Sequence, residues 1–218
     1  MKKNTFLAFS IIVLLLGAIS LITVNSKKIH AETPVNQSPT YKIGDAVEDF
    51  NLKNIDGGLV SLSAINANGA IIIFTCNHCP YAKAYEGRIV DLDKKYKSLG
   101  YPVIAINPNA SGQNGEDGID ENKISANEKG FTFPYLKDEN QAVTNAFGAK
   151  RTPTAFVLKK ENGKYILKYA GAIDDNSQSA ESATKKYVET AINELLIGKN
   201  VSVTNTKSIG CGIKFKNV

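Results

Sequence analysis

The stretch IIIFTCNHCPYAKAYE, residues 71–86, changes period in its middle. AIIIFT, residues 70–75, is a continuous apolar run, long enough for a buried strand and too short for a helix. Beyond Cys79 the residues Tyr81, Tyr85, Ile89, Leu92, Tyr96 and Leu99 recur every three or four positions. That spacing marks one face of an amphipathic helix, which Gly100 ends. Two of the chain's three cysteines, Cys76 and Cys79, stand at the turn from strand to helix with His78 between them.

The same pattern repeats on either side. FNLKNIDGGLVSLSAI, residues 50–65, alternates apolar and polar residues about DGG, a hairpin signal. PVIAIN, 102–107, is a further strand, and the polar PNASGQNGEDG that follows is a loop. Residues 119–129 read as a short helix ending at Gly130, 131–136 as a strand-like piece containing Pro134, and 139–147 as a short helix. TAFVLK, 154–159, and KYILKYAG, 164–171, flank a turn at Gly163, and residues 181–197 return to helical spacing. Strands alternating with helices imply an α/β sheet with parallel pairing, and the late antiparallel hairpin makes it mixed.

The chain of 218 residues is long enough for one domain and an extension, and its 43% hydrophobic and 22% charged content is that of a globular protein. Four of its five net positive charges come from Lys2, Lys3, Lys27 and Lys28, so no nucleic-acid footprint is expected in the domain. Residues 6–24 carry no charge, follow a basic start and precede a small residue at Ala31. This reads as an export signal, residues 1–31, either cleaved or kept as a membrane anchor. Residues 32–42 read as a linker, and the compact domain as 43–218. Outside the cytosol disulfides persist, so localisation bears on how the cysteines are read.

A thiol at a helix N-terminus gains from unpaired N–H groups and the macrodipole, so the Cys76 thiol is expected to ionise below its ordinary value. Cys76 is then the attacking thiol and Cys79, one turn on, the resolving one. A partly protonated His78 would stabilise the thiolate further and move the couple away from the reducing end of the redox scale. Thr152-Pro153 directly precedes a buried strand, a position that suits an edge or a cis bond.

The order Cys-x-x-Cys, α/β, Thr-Pro-strand resembles the thioredoxin-like superfamily, and in particular its redoxin branch, the alkyl hydroperoxide reductase/thiol-specific antioxidant-like proteins. FTCNHCPYAKAYEGRI, VIAINPN, GFTFPYLKDENQAV, AFGAKRTPTAFVL, YAGAIDDN and the terminal GCGIKFK carry the resemblance over residues 43–218. It implies a thioredoxin-like fold, a mixed central sheet flanked by helices, here with an extra N-terminal β-hairpin. It also implies a cis-proline at Pro153 beside the couple, in a loop that pairs with a substrate chain, with Thr152 facing the sulfurs. The Pro-x-x-x-Thr-x-x-Cys motif of the family's peroxidases is missing: Thr75 adjoins Cys76, and residues 68–75 contain no proline.

The sequence thus reads as an exported thiol-disulfide oxidoreductase acting through Cys76 and Cys79, supported by His78, Thr152 and Pro153. Its partners are protein thiols and disulfides and a redox partner protein. No organic cofactor and no resident metal are expected. A thiol peroxidase with antioxidant activity and a copper-carrying protein are the alternatives. Two further candidates stand beside this core. Glu86, seven residues after Cys79, would be a proton shuttle if buried, but reads as solvated. Cys211, flanked by Gly210 and Gly212, has a backbone flexible enough to approach the couple as a third thiol, but reads as having no catalytic role. The loop GQNGEDGIDEN lacks the terminal glutamate of a calcium-binding loop and reads as an ordinary polar loop.

Overall fold

The computed structural model describes residues 40–110 and 115–216. The export segment and the linker as far as residue 39 lie outside these residues. No helix among the described residues is long and apolar enough to cross a membrane.

Two short strands, β1 (Ala46–Val47) and β2 (Asn51–Asn54), lead into β3 (Leu59–Ser61), and the DGG turn closes β2 and β3 into the expected antiparallel hairpin. The apolar run forms β4 (Gly69–Phe74), buried on both faces, as central strands are. Helix α1 (Pro80–Tyr96) follows and passes into a single 3-10 turn that Gly100 ends at a φ of 85°, a left-handed conformation that glycine adopts without a Cβ penalty. Then come β5 (Val103–Asn107), α2 (Ile119–Lys129), β6 (Tyr135–Lys137), α3 (Ala142–Phe147), β7 (Arg151–Thr152), β8 (Thr154–Glu161), β9 (Lys164–Gly171), α4 (Tyr187–Leu196) and β10 (Cys211–Gly212).

Eight strands form one sheet in the order β1-β9-β8-β4-β5-β6-β2-β3. β4, β5 and β6 run parallel, β8 and β9 antiparallel to their neighbours, so the sheet is mixed. The β2–β3 hairpin extends it beyond β6, through Lys53 opposite Lys137 and Asn54 opposite Leu136. This is the thioredoxin-like fold with its extra hairpin. Alternate residues of β4 feed the two cores. Ile71 and Ile73 pack with Ile89 and Tyr96 of α1 and with Val188, Ala191 and Ile192 of α4. Ala70, Ile72 and Phe74 pack with Phe147 of α3, Phe156 and Leu158.

Three local expectations shift. Strand β6 covers only the end of 131–136: Phe131 and Phe133 stack on each other at 4.6 Å, and Pro134 has no N–H to pair, although its carbonyl accepts from Ala105. Helix α4 starts at Tyr187 rather than near 181, because the Asp175 carboxylate holds the backbone N–H groups of Thr184 and Lys185 in a non-helical turn. Tyr81 lies on the helical stripe but is exposed, since the first turn of α1 packs inward through Ala82 instead.

Candidate active site

β4 ends at Phe74, and after five intervening residues α1 begins at Pro80 with Cys79 as its N-cap. Thr75, Cys76 and Cys79 are buried in the connection. β7 and the start of β8 come up beside it, joined by a cis bond between Thr152 and Pro153, as the resemblance implied. Thr152 faces both sulfurs. Its hydroxyl Oγ1 is 3.0 Å from Cys76 Sγ, and its carbonyl oxygen is 3.4 Å from Cys79 Sγ.

Cys79 is bonded to Cys211, not to Cys76. Its sulfur therefore carries no proton, and its approach to the Thr152 carbonyl is a contact rather than a hydrogen bond. Cys76 is a free thiol, 3% exposed. Cys211 thus belongs to the cysteine cluster, where Cys76, Cys79 and Ala82 pack together with it.

The expected low ionisation of Cys76 is reversed. Burial pushes the thiol above its ordinary value, and the nearby Asp117 carboxylate pushes it the same way. Hydrogen bonds from Thr152, from the Cys79 backbone and from the Asn109 side chain pull it down, but less strongly. The physical reason is position: the helix starts at Pro80, so Cys76 precedes the terminus by a full turn and is sealed from water.

Asp117 is the residue that the sequence reading missed. It sits in the loop before α2, 1% exposed, held by Asn77 N–H at 3.1 Å, Asn107 Nδ2 at 3.0 Å and Asn109 Nδ2 at 3.1 Å. Asn77 is fixed in turn by Tyr135, whose hydroxyl donates to Asn77 Oδ1 at 2.9 Å, and by its own amide donating to Asn122 at 2.7 Å. His78 Nδ1 lies 2.5 Å from Asp117 Oδ2 but is not aligned with any hydrogen-bond acceptor. The imidazole is thus close to Asp117 without a formed hydrogen bond to it. Donor atoms of Cys76, His78 and Asp117 fall within 4.8 Å of one another, a sulfur, a nitrogen and an oxygen able to share one soft or borderline cation. The acid-rich GEDG loop was the visible signal, and its placement against Cys76 was not.

Glu86 is mostly buried rather than solvated, and its carboxylate lies 3.3 Å from Lys129 Nζ, in an ion pair. Arg151 donates to the Gly210 carbonyl at 2.8 Å.

Asp117→Asn removes the anion that opposes ionisation of Cys76, so the midpoint of the alkylation-rate profile of this thiol is expected to move to lower pH. The test is iodoacetamide labelling followed by peptide mapping between pH 6 and pH 11, about the range where thiols titrate. An unmoved or rising midpoint would show that the carboxylate does not govern the thiol.

The sequence pattern of the AhpC/TSA family matches residues 43–171. The thiol-disulfide oxidoreductase ResA of Oceanobacillus iheyensis is 28% identical over 177 residues, 79% of this chain and 84% of that protein. ResA of Geobacillus thermodenitrificans is 27% identical over 187 residues, 84% of this chain and 98% of that one. Among solved structures, an uncharacterized conserved protein from Geobacillus kaustophilus superposes with a TM-score of 0.75 at 33% identity, over 83% of this chain and 96% of its own. A putative protein disulfide isomerase from Bacteroides thetaiotaomicron, at 20% identity and a TM-score of 0.52 over 73% of this chain and 94% of its own, shares the fold.

Proposed function

The chain belongs to the AhpC/TSA family, and on that premise we propose that it is a thiol-disulfide oxidoreductase that exchanges disulfides with protein thiols through Cys76 and Cys79 outside the cytosol. One observation carries the reading: a free thiol, Cys76, and a disulfide sulfur, Cys79, face the same residue, Thr152. The relatives named thiol-disulfide oxidoreductase ResA support it. The apolar segment at residues 6–24 supports a site of action beyond the membrane, as a secreted or anchored protein.

Once a redox partner protein has reduced the Cys79–Cys211 bond, exchange starts at Cys76. Its thiolate attacks a substrate disulfide, one substrate sulfur leaves as thiolate, and a mixed disulfide forms. The Cys79 thiolate then attacks Cys76 Sγ, the substrate departs reduced, and Cys76–Cys79 is left oxidised. The reverse sequence oxidises a dithiol, and a redox partner protein resets the couple. Thr152 Oγ1 is placed to donate to the Cys76 thiolate as it develops.

A glutathione redox titration of Cys211→Ser, in which Cys79 has no other partner, with disulfide mapping at each point, tests the reading. A reversible Cys76–Cys79 bond supports it, and its absence at every potential would end it. A buried thiol with a raised ionisation point gives the reduced form less thiolate stabilisation than an ordinary thiol has. The midpoint is therefore expected toward the reducing end of the span of about −270 to −120 mV found among such couples. The sequence reading of His78 expects the opposite, an oxidising poise, and the measured midpoint decides between the two.

A second reading, transport of a soft metal, is favoured by the convergence of Cys76, His78 and Asp117. Dialysis of the reduced protein against Cu(I), followed by elemental analysis, separates the two. One retained equivalent that is lost in His78→Ala supports a carrier, and an empty protein rejects it.

A further inference from the structure

β10 is a strand of two residues, Cys211 and Gly212, yet it has its own partner. It pairs antiparallel with β7, Cys211 opposite Thr152 and Gly212 opposite Arg151. Thr152 is the residue that touches both sulfurs of the couple. The C-terminal segment therefore lies as an extended strand along the backbone edge nearest the reactive sulfurs, with a cysteine at the register position facing them, and that cysteine is bonded to Cys79. This is the arrangement a foreign polypeptide would adopt in a mixed disulfide docked by strand addition.

The bonds that hold the segment are mostly to backbone, and backbone bonds are indifferent to sequence. Ile213 N–H donates to the Lys150 carbonyl at 3.0 Å, Ala110 N–H to the Lys214 carbonyl at 2.9 Å, and Lys214 N–H to Asn109 Oδ1 at 2.8 Å. Gln141 Nε2 donates to the Lys214 carbonyl at 2.9 Å, and only the Ile213 side chain is buried deeply among the core residues. Gly210 has a distinct role. A Cβ there would sit 2.1 Å from the Thr152 carbonyl oxygen, so only glycine lets the segment enter this edge.

We propose that residues 210–216 are a tethered substrate strand: in the Cys79–Cys211 form they occupy the β7 edge and close the couple to protein substrates, and exchange with Cys76 opens it. The proposal rests on the reading that Cys76 and Cys79 exchange disulfides. The opening step is internal. As the segment lifts enough to admit water, Cys76 gives up its proton, its thiolate attacks Cys79 Sγ, the Cys76–Cys79 bond forms and the Cys79–Cys211 bond breaks. Cys211 leaves as a thiolate and takes up a proton, with no net oxidation or reduction. The segment, now held only by its noncovalent contacts, gives way to an extended cysteine-bearing polypeptide, which pairs with β7 and presents its own thiolate to Cys76 Sγ.

The test compares the full chain with Cys211→Ser and with Gly210→Ala, which keeps all three cysteines but cannot seat the strand. The probe is a synthetic extended peptide with two thiols, and dithiothreitol serves as a small dithiol that has no strand to dock. In the oxidised wild type, mapping is expected to find Cys79–Cys211 with Cys76 free. In Cys211→Ser it is expected to find Cys76–Cys79. Both variants are expected to oxidise the peptide about 10-fold faster than wild type, the gain that follows when a mostly blocked state becomes mostly competent. The rate ratio of peptide to dithiothreitol should rise with it. Peptide rates equal to wild type in Cys211→Ser would overturn the tethered strand while leaving exchange intact. No exchange in any of the three proteins would overturn the exchange reading itself. Should Gly210→Ala fail to fold, Cys211→Ser decides alone.

Discussion

Cys76→Ser is expected to abolish exchange with a dithiol peptide, a loss of about 10³-fold or more, on the scale seen when an enzyme loses its nucleophile. The argument is chemical before it is structural. Serine matches cysteine closely in shape, can keep the hydrogen bond to Thr152 Oγ1, and leaves the Cys79–Cys211 bond untouched. The fold should therefore survive, and far-UV circular dichroism and the urea midpoint should match wild type. Only the sulfur proposed to attack is gone. Cys79→Ser combined with Cys211→Ser differs in kind: Cys76 can still attack, no second thiol of the cluster resolves it, and a mixed disulfide should accumulate in a non-reducing gel. Full activity in Cys76→Ser would transfer the entry role to Cys211 and undo the assignment of the couple.

Asp174→Ala is expected to cost about 3–5 kcal/mol, the cost of leaving one member of a buried ion pair behind. Asp174 is 5% exposed and accepts two bonds from Arg88 Nη1, at 2.9 and 2.7 Å, and one from the Tyr85 hydroxyl at 2.8 Å. Arg88 also lies over the Tyr85 ring, 3.6 Å from its centre, and donates to the Asn176 carbonyl at 2.6 Å. Burial and the adjoining carboxylate push the Tyr85 phenol well up, so it stays a neutral donor. This network fastens α1, whose N-cap is Cys79, to the turn that follows β9. Its loss should loosen the helix that aims the resolving sulfur. With a typical urea slope of about 2 kcal/mol/M, the midpoint should fall by about 2 M. A fall under about 0.5 M would mean that solvent reaches Arg88 and replaces its partner.

What was legible in the sequence was local. The apolar run at 70–75, the helical spacing after Cys79 and the stops at Gly100 and Gly130 all depend on residues within a turn or two of each other, and each element appeared. The site divides along the same line. Cys76, Cys79 and Thr152 meet as the family resemblance implied. The partner of Cys79 lies 132 residues away, and Asp117 lies 40 residues from Asn77, whose backbone it binds. Neither separation has a periodic signature. The ionisation of Cys76 was misjudged for a related reason: helix position can be read from spacing, but burial depends on what folds over the thiol. The YAGAIDDN segment shows the middle case. It was visible as a motif, and only the structure shows that its first aspartate is the counter-ion of Arg88.

The sheet's two margins are built from very little backbone. Among the described residues, β1 contributes two residues at one edge and β3 three at the other, and Asp45, Glu48 and Asp49 crowd the first. Short, charged edges discourage a neighbouring chain from adding itself to a sheet. On the function proposed above, the protein would meet partly folded polypeptides whose unpaired strands seek such edges. These outer margins therefore make a poor template for coaggregation, and on that proposed function pairing with another chain is left to the β7 edge beside the sulfurs.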